Sequence, residues 1–288
     1  MSWRIRVPAT SANLGPGYDR LGLALPLWFD VVAIPSEAWR IELGGEGRER
    51  FRSDNTHPFV RAYHRACKDF GWDAQRFHVQ LNSEIPVSSG LGSSAALWVA
   101  AAALAELAET GTVHRDVIAE WGCRQEGHPD NVMPAVFGGL RDGNIQHPIH
   151  PSIRVLCVTL SCEAATQDMR ILVPAAPHVD VLEETNHLVD TLLAGLRGGD
   201  AAKLAVSSQD VRHQPYRFAA LPQSLMVFEW LQRQPWAIGP FLSGSGPTVC
   251  AWILEGDSHC ARIRDSDLSI QKCWVMKPET GGVVWDPH

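Results

Sequence analysis

The chain lacks any apolar run long enough to cross a membrane. Its longest, Ala95 to Ala105, falls well short of the roughly 20 residues a spanning helix needs. A signal peptide is not expected either, because Thr10, Ser11 and Asn13 interrupt the N-terminal stretch where such a peptide would be apolar. There is no C-x-x-C pair, and the seven cysteines are odd in number and scattered, which points to reduced thiols in a cytoplasm rather than a disulfide framework. Positive charge is not in excess. A net charge of −7 argues against nucleic acid as the main partner. It leaves an anionic small substrate open, since screening over ~8 Å makes local arginines count for more than the total. Internal repeats and low-complexity tracts are also missing. What remains is 288 residues, 45% hydrophobic and 20% charged, ordinary for a globular protein of one large or two modest domains. The eleven tryptophans run from Trp3 to Trp285 and are expected to serve packing, with no shared role.

The most informative stretch is Pro86-Val87-Ser88-Ser89-Gly90-Leu91-Gly92-Ser93-Ser94-Ala95-Ala96. It follows the alternating, strand-like Phe77 to Leu81 and opens an alanine-rich helix from Ala95 to about Glu109. Gly90 and Gly92 let the backbone turn back without a Cβ penalty, and the paired serines are expected to begin the helix. Unpaired N–H groups and the positive end of the helix dipole then face one small volume, which suits phosphate. The plainer alternative is a Gly/Ser turn capping an ordinary helix. No lysine follows the glycines, so this is not a Walker A loop. Phosphate charge would have to be met by backbone amides, the dipole and a metal ion.

The rest of the chain alternates strands and helices. Trp3 to Val7, Leu21 to Ile34 (broken at Pro26) and Trp39 to Leu43 predict strands. Phe59 to Phe70 has helical spacing and stops at Gly71. Val113 to Cys123 predicts another helix, and Asp130 or Asn131 can cap one containing Val132 and Val136. Arg141 to Ser152, with Asp-Gly, two prolines and two histidines, looks like a connector. A buried strand, Ile153 to Val158, follows, then a long helix ending near Gly195. The tail supplies strands around Phe241, Thr248 to Ile253 and Cys273 to Met276. This predicts an α+β protein of two lobes with a cleft between them. His147 and His150 have metal-like spacing, but no further ligand lies nearby in sequence, and zinc is not expected there.

Two further glycine-rich segments accompany the first. Pro8-Ala9-Thr10-Ser11-Ala12-Asn13-Leu14-Gly15-Pro16-Gly17-Tyr18-Asp19 follows the first strand and presents Asn13 and Asp19 on a tight turn. Leu242-Ser243-Gly244-Ser245-Gly246-Pro247-Thr248 lies between strands. Each alone reads equally well as a plain turn. Together and in this order the three resemble the signature motifs of the GHMP kinases. Within that superfamily PATSANLGPGYD, Glu126-Gly127-His128-Pro129-Asp130-Asn131-Val132 with Phe137-Gly138-Gly139, the Thr166-x-x-x-Arg170 segment, and Pro215-Tyr216-Arg217 before Leu221-Pro222 look most like the homoserine kinase branch. The likeness runs from about Val7 to Val249.

The resemblance implies a two-lobed GHMP kinase fold: an N-terminal ATP-binding lobe over residues 1–148 shared with a ribosomal-protein domain, and a ferredoxin-like lobe over residues 149–288. It implies ATP as phosphoryl donor, Mg²⁺, and L-homoserine converted to O-phospho-L-homoserine on the way to threonine. A homodimer is among the assemblies it allows. The loop Pro86 to Ala96 would cradle ATP, and Ser94 and Glu126 would be hard oxygen ligands for Mg²⁺. Arg170 and Arg217 would meet the substrate carboxylate, Asp19 and Asn13 its ammonium. Asn131 would orient the reacting hydroxyl, and Asn55 would touch adenine. Asp130 aligns with the acid used as base in mevalonate kinase-like relatives. Here it is expected to be a helix cap or a supporting residue, with the hydroxyl proton passing towards the γ-phosphate. His128 is expected to open a helix beside Pro129.

There are departures from the branch. Tyr18 and Arg20 replace the commonest residues of the first motif, and Trp236-Ala237-Ile238-Gly239-Pro240 precedes the third. Two alternatives therefore stand beside the main expectation: another small-alcohol kinase of the superfamily with its pocket altered near Trp236 or Tyr18, or a non-catalytic sensor on the same fold.

Overall fold

The computed structural model describes residues 1–161, 166–254, 263 and 268–288, with the backbone alone over 166–168. The chain opens with a long antiparallel pair, β1 (Trp3–Ala12) and β2 (Leu21–Pro35). The expected break at Pro26 is a bulge rather than an end. Pro8 pairs with Trp28 and Ala9 with Leu25, so Pro26 and Leu27 are the extra residues, and the missing proline N–H is accommodated there. β3 (Arg40–Gly45) and β4 (Phe77–Ser83) run parallel to each other, joined through helix α1 (Pro58–Phe70), which ends at Gly71 in the left-handed conformation.

Helix α2 (Ser93–Thr110) is apolar on every side along its middle, where Val99 to Ala105 is fully buried. Its alanines let neighbours approach closely. Strand β1 and helices α1 and α3 (Arg115–Glu126) pack on it, as does the short α4 (Val132–Phe137). The segment expected to be a connector contains a hairpin, β5 (Leu140–Asp142) and β6 (Ile145–His147), turning at Gly143 with β5 paired to β2. Its strands are too short to show a period of two, which is why it reads as loop.

The second sheet holds β7 (Arg154–Leu160), β8 (Ile238–Leu242), β9 (Val249–Ile253) and β10 (Ile270–Met276) in the order β10-β7-β9-β8, all antiparallel. In chain order that is 4-1-3-2, the ferredoxin-like arrangement. Between β7 and β8 lie α5 (Thr166–Ile171), α6 (Val179–Gly198), α7 (Ala201–Leu204), a 3₁₀ turn over 205–209, α8 (Gln214–Ala220) and α9 (Pro222–Gln232). Of these only α6 is long enough to be legible from spacing. The final strand β11 (Val284–Pro287) returns to pair with β1, giving a first sheet of seven strands in the order β11-β1-β2-β4-β3 with the hairpin alongside. One hydrophobic cluster runs across both sheets, from Ile5 and Ala100 to Leu192 and Trp252, so the lobes share a core.

Gly22 of β2 shows how tightly the parts meet. A Cβ there would lie 1.7 Å from the backbone oxygen of Asp130, so the turn into α4 rests directly on the strand. Gly22→Ala is expected to lower the unfolding free energy by ~1–3 kcal/mol through overpacking, and to displace residues 130–131. Thermal unfolding checks it; an unchanged melting temperature would mean that the strand and the turn part freely.

Candidate active site

Three loops meet at the start of α2. The first, after β1, holds Asn13, Leu14 and Asp19 in the left-handed region, at φ of 69°, 52° and 57°. The Asn13 side chain fixes it from within: its Oδ1 accepts the Asp19 backbone N–H at 3.1 Å and its Nδ2 donates to Gly244 O at 3.2 Å. The third loop is bonded to the other two. Gly244 N–H donates to Ala12 O at 3.1 Å, Thr248 N–H to Ser89 O at 3.2 Å, and Ser243 Oγ to Gly90 O at 2.7 Å.

The serines do not cap α2. The N-cap is Gly92, at φ 70° and with no side-chain cap bond. The reason is steric. A Cβ at residue 92 would meet Thr10 Oγ1 at 2.0 Å, because Thr10 reaches past it to donate to Asn131 Oδ1 at 2.8 Å. Ser93 and Ser94 lie in the first turn instead, lining a cleft of about 750 Å³. Of the other residues of the expected loop, Val87, Ser88, Ser89, Gly90, Gly92 and Ala95 also line it. Leu91 and Ala96 are buried in the core, and Pro86 faces a depression on the outer side of the loop.

The same cleft takes in Asn13, Asp19, Glu126, Asn131, Arg170 and Arg217. Four segments far apart in sequence therefore converge with the phosphate-type loop. Ser94 Oγ donates to Glu126 Oε1. Burial pushes the Glu126 carboxyl above its ordinary range, while hydrogen bonds from Ser94 and Trp98 pull the other way. Arg170 forks onto Asp19, Nη1 to Oδ1 at 3.1 Å and Nη2 to Oδ2 at 2.5 Å. Arg217 is buried and donates to Gly244 O at 2.7 Å. Desolvation lowers its pKa.

Neither Asp130 nor Asn131 acts as a side-chain cap. Asn131 occupies the N-cap position of α4 without a cap bond, its oxygen being held by Thr10. The buried Asp130 carboxylate is bonded to His128 Nδ1, so that histidine's role is to hold Asp130 and not to open a helix. Burial opposes the charge on His128, but the hydrogen bond and charge of Asp130 outweigh it and raise its pKa. Among the described residues Asp19, His128 and Asp130 form a group with potential ligand atoms within 4.8 Å of one another. These atoms are already engaged, Asp19 with Arg170 and His128 with Asp130.

Asn55 is exposed and does not line the cleft. Its neighbours do: Phe51, His57 and Pro58, with Leu43, Leu81 and Trp98, line an apolar part of it, and Arg48, Arg61 and Arg65 also reach it. No motif marks them, and only their place before a helix start could have singled out His57. Trp236 packs on Trp230, ring centroids 6.1 Å apart, away from the cleft. His150 Nδ1 bonds Ser152 Oγ at 2.7 Å. The side chain of Thr166 lies outside the described residues.

A glycine-rich helix start beside a serine–carboxylate pair, bonded to a loop from a ferredoxin-like sheet, is the arrangement of a kinase of the GHMP type. Residues 57–139 match the family model for the GHMP kinases N terminal domain. A homoserine kinase of Cutibacterium acnes is 36% identical over 93% of this chain and 94% of its own length, and one of Corynebacterium urealyticum 32% identical over 96% and 95%. The crystal structure of homoserine kinase from Cytophaga hutchinsonii superimposes with a TM-score of 0.82, covering 99% of this chain and 97% of its own at 24% identity. The chain belongs to the homoserine kinase family.

His57 supplies a pH signature. Its Nδ1 accepts the Phe59 N–H at 3.1 Å, capping α1, and burial lowers its pKa to about 4. The unfolded chain binds a proton near pH 6.5 that the folded chain refuses until about 4, so stability falls as pH drops through that window. His57→Asn keeps a capping acceptor and removes the titration. Between pH 7 and 4.5 the variant should lose about 2–3 kcal/mol less unfolding free energy than wild type. Equal losses in urea unfolding would contradict a buried neutral imidazole.

Proposed function

We propose that the protein transfers the γ-phosphoryl group of ATP to the side-chain hydroxyl of L-homoserine, giving O-phospho-L-homoserine for threonine synthesis in the cytoplasm. The observation that carries this is one cleft holding an anion cradle, a serine–carboxylate pair, and two arginines beside an aspartate. Residues 1–148 are read as the ATP-binding lobe and 149–288 as the second lobe, whose last strand returns to the first sheet.

Phosphoryl transfer to an alcohol needs alignment and charge stabilisation rather than covalent catalysis. The α2 N-terminus and the N–H groups of the loop from Val87 to Ala95 take the phosphates, and the apolar wall at Phe51 and Trp98 takes the base. The Ser94 hydroxyl and Glu126 carboxylate are hard donors that fit Mg²⁺. Glu126 is half-buried at the cleft and its pKa is raised by desolvation, so its charge is undercompensated and suited to a cation. When bound, Mg²⁺ supplies neutralisation of phosphate charge.

Asp19 and Arg170 hold each other in the ligand-free cleft. A zwitterion exchanges that one ion pair for two, ammonium on Asp19 and Asn13, carboxylate on Arg170 and Arg217. A neutral alcohol cannot make that exchange, which favours an amino acid over a sugar. Asn131 orients the acceptor: with Oδ1 held by Thr10, its Nδ2 is left to donate to the hydroxyl oxygen. Asp130, bonded to His128 and buried, supports that segment. The hydroxyl proton then leaves towards the γ-phosphate.

ADP release measured against homoserine, threonine, serine, mevalonate and galactose tests the proposal, with homoserine expected to be preferred. Arg217→Ala should raise KM for homoserine by on the order of 10- to 100-fold, a charge-assisted bond being worth roughly 1.5–3 kcal/mol, with KM for ATP little changed. Equal use of homoserine and its esters would remove the carboxylate argument. Ser94→Ala and Glu126→Gln should each lower kcat by about 100-fold or more; near wild-type turnover of both at saturating Mg²⁺ would exclude the assigned ligands. On folded protein, Asn131→Ala should be the poorer catalyst than Asp130→Asn. The reverse order would make Asp130 the base.

A further inference from the structure

Tyr18 is one of the two first-motif residues that depart from the pattern of the branch, and it does not line the cleft. It stands behind the cleft wall, half-buried, with three guanidinium groups gathered on its ring: Arg212 at 5.0 Å from the centroid, Arg217 at 5.2 Å and Arg170 at 5.8 Å. His213 stacks on the same ring at 5.3 Å. Three cations this close repel one another. The anions facing them are few: Asp19 is forked by Arg170, while Asp130 and Asp210 are engaged by His128 and by backbone N–H groups. The π-face of a tyrosine attracts cations without consuming an anion and without competing for a substrate carboxylate.

We propose that the Tyr18 ring is a positioning residue for amino-acid recognition, a cation–π platform that holds Arg170 and Arg217 side by side in the orientation a carboxylate needs. An acidic side chain in its place would neutralise the arginines and block the carboxylate; an aliphatic one would leave them to splay apart. Arg212 is held in addition by Pro174 O at 2.7 Å, so it ties the platform to the chain after α5. The proposal rests on the carboxylate role given to Arg170 and Arg217 above.

The ring rather than the hydroxyl is the active part, which sets the test. Tyr18→Phe should keep KM for homoserine within about two-fold of wild type, while Tyr18→Leu should raise it by on the order of 3- to 30-fold with KM for ATP unchanged. KM does not depend on how much of a preparation is folded, so partial misfolding of the leucine variant does not confuse the result. Phenylalanines carrying one, two and three ring fluorines at position 18 keep the shape and drain the π-face, and KM for homoserine should climb with each fluorine. A flat fluorine series, or a leucine variant with unchanged KM, would overturn the platform. So would equal damage from phenylalanine and leucine, which would assign the effect to the hydroxyl. A double-mutant cycle of Tyr18→Leu with Arg217→Met on the urea-unfolding equilibrium needs no substrate. A coupling of about 3-fold or more in the unfolding constant supports the platform even if homoserine proves not to be the acceptor, and no coupling refutes it.

Discussion

Three backbone turns have to meet at one helix start, and each must come within hydrogen-bonding distance of the next. Ser243 and Thr248 of the third loop bond Gly90 and Ser89 of the second, Gly244 bonds Ala12 of the first, and Thr10 reaches past residue 92 to hold Asn131. That approach leaves no room for a Cβ at position 92, and it forces Asn13, Leu14, Asp19 and Ser88 into left-handed conformations that non-glycine residues seldom adopt. Everything that makes the cleft chemically specific hangs on this junction. The orientation of Asn131, the exposure of the first-turn serines and the placing of Asp19 opposite Arg170 all follow from it.

The junction also explains why strain at these positions is tolerated. The loops are tied to a core that runs across both sheets, so an unfavourable φ is held by packing far larger than its own cost of ~1–3 kcal/mol per residue. The alanine-rich α2 is the centre of that core, and its N-terminal end faces the cleft. A rigid helix dipole aimed into a cleft is already oriented and needs no reorganisation to act there.

The protein is acidic overall, yet guanidinium groups gather beside the cleft. Arg170, Arg212 and Arg217 converge on one ring while the chain carries a net charge of −7. Local geometry and desolvation set the field at such a cluster, because charges beyond a Debye length are screened. The buried Asp130–His128 pair and the Asp19–Arg170 fork compensate two of the charges that line the ligand-free cleft.

The sequence by itself determined the long elements, the three-loop order and the family. Helical spacing over α1 and α6, the alanine-rich run of α2 and the strand-like runs of β1 to β4 are local properties, and the PATSANLGPGYD and EGHPDNV segments are contiguous strings. Their residues converge in one cleft. The tertiary structure alone decided which atoms of those residues are available. Asp130 and Asn131 both look like helix caps in sequence, yet one is turned to His128 and the other is held by Thr10, a partner 121 positions away. Ser93 looks like a cap, yet Gly92 takes that place because Thr10 occupies the volume of its missing side chain. The apolar wall from Phe51 and His57, the Tyr18 platform, the short hairpin and the return of β11 to β1 carry no local signal. The hairpin is too short to show a period, and the others are contacts between segments distant in sequence, fixed by packing and backbone hydrogen bonding in three dimensions and not by the propensities of the residues that make them.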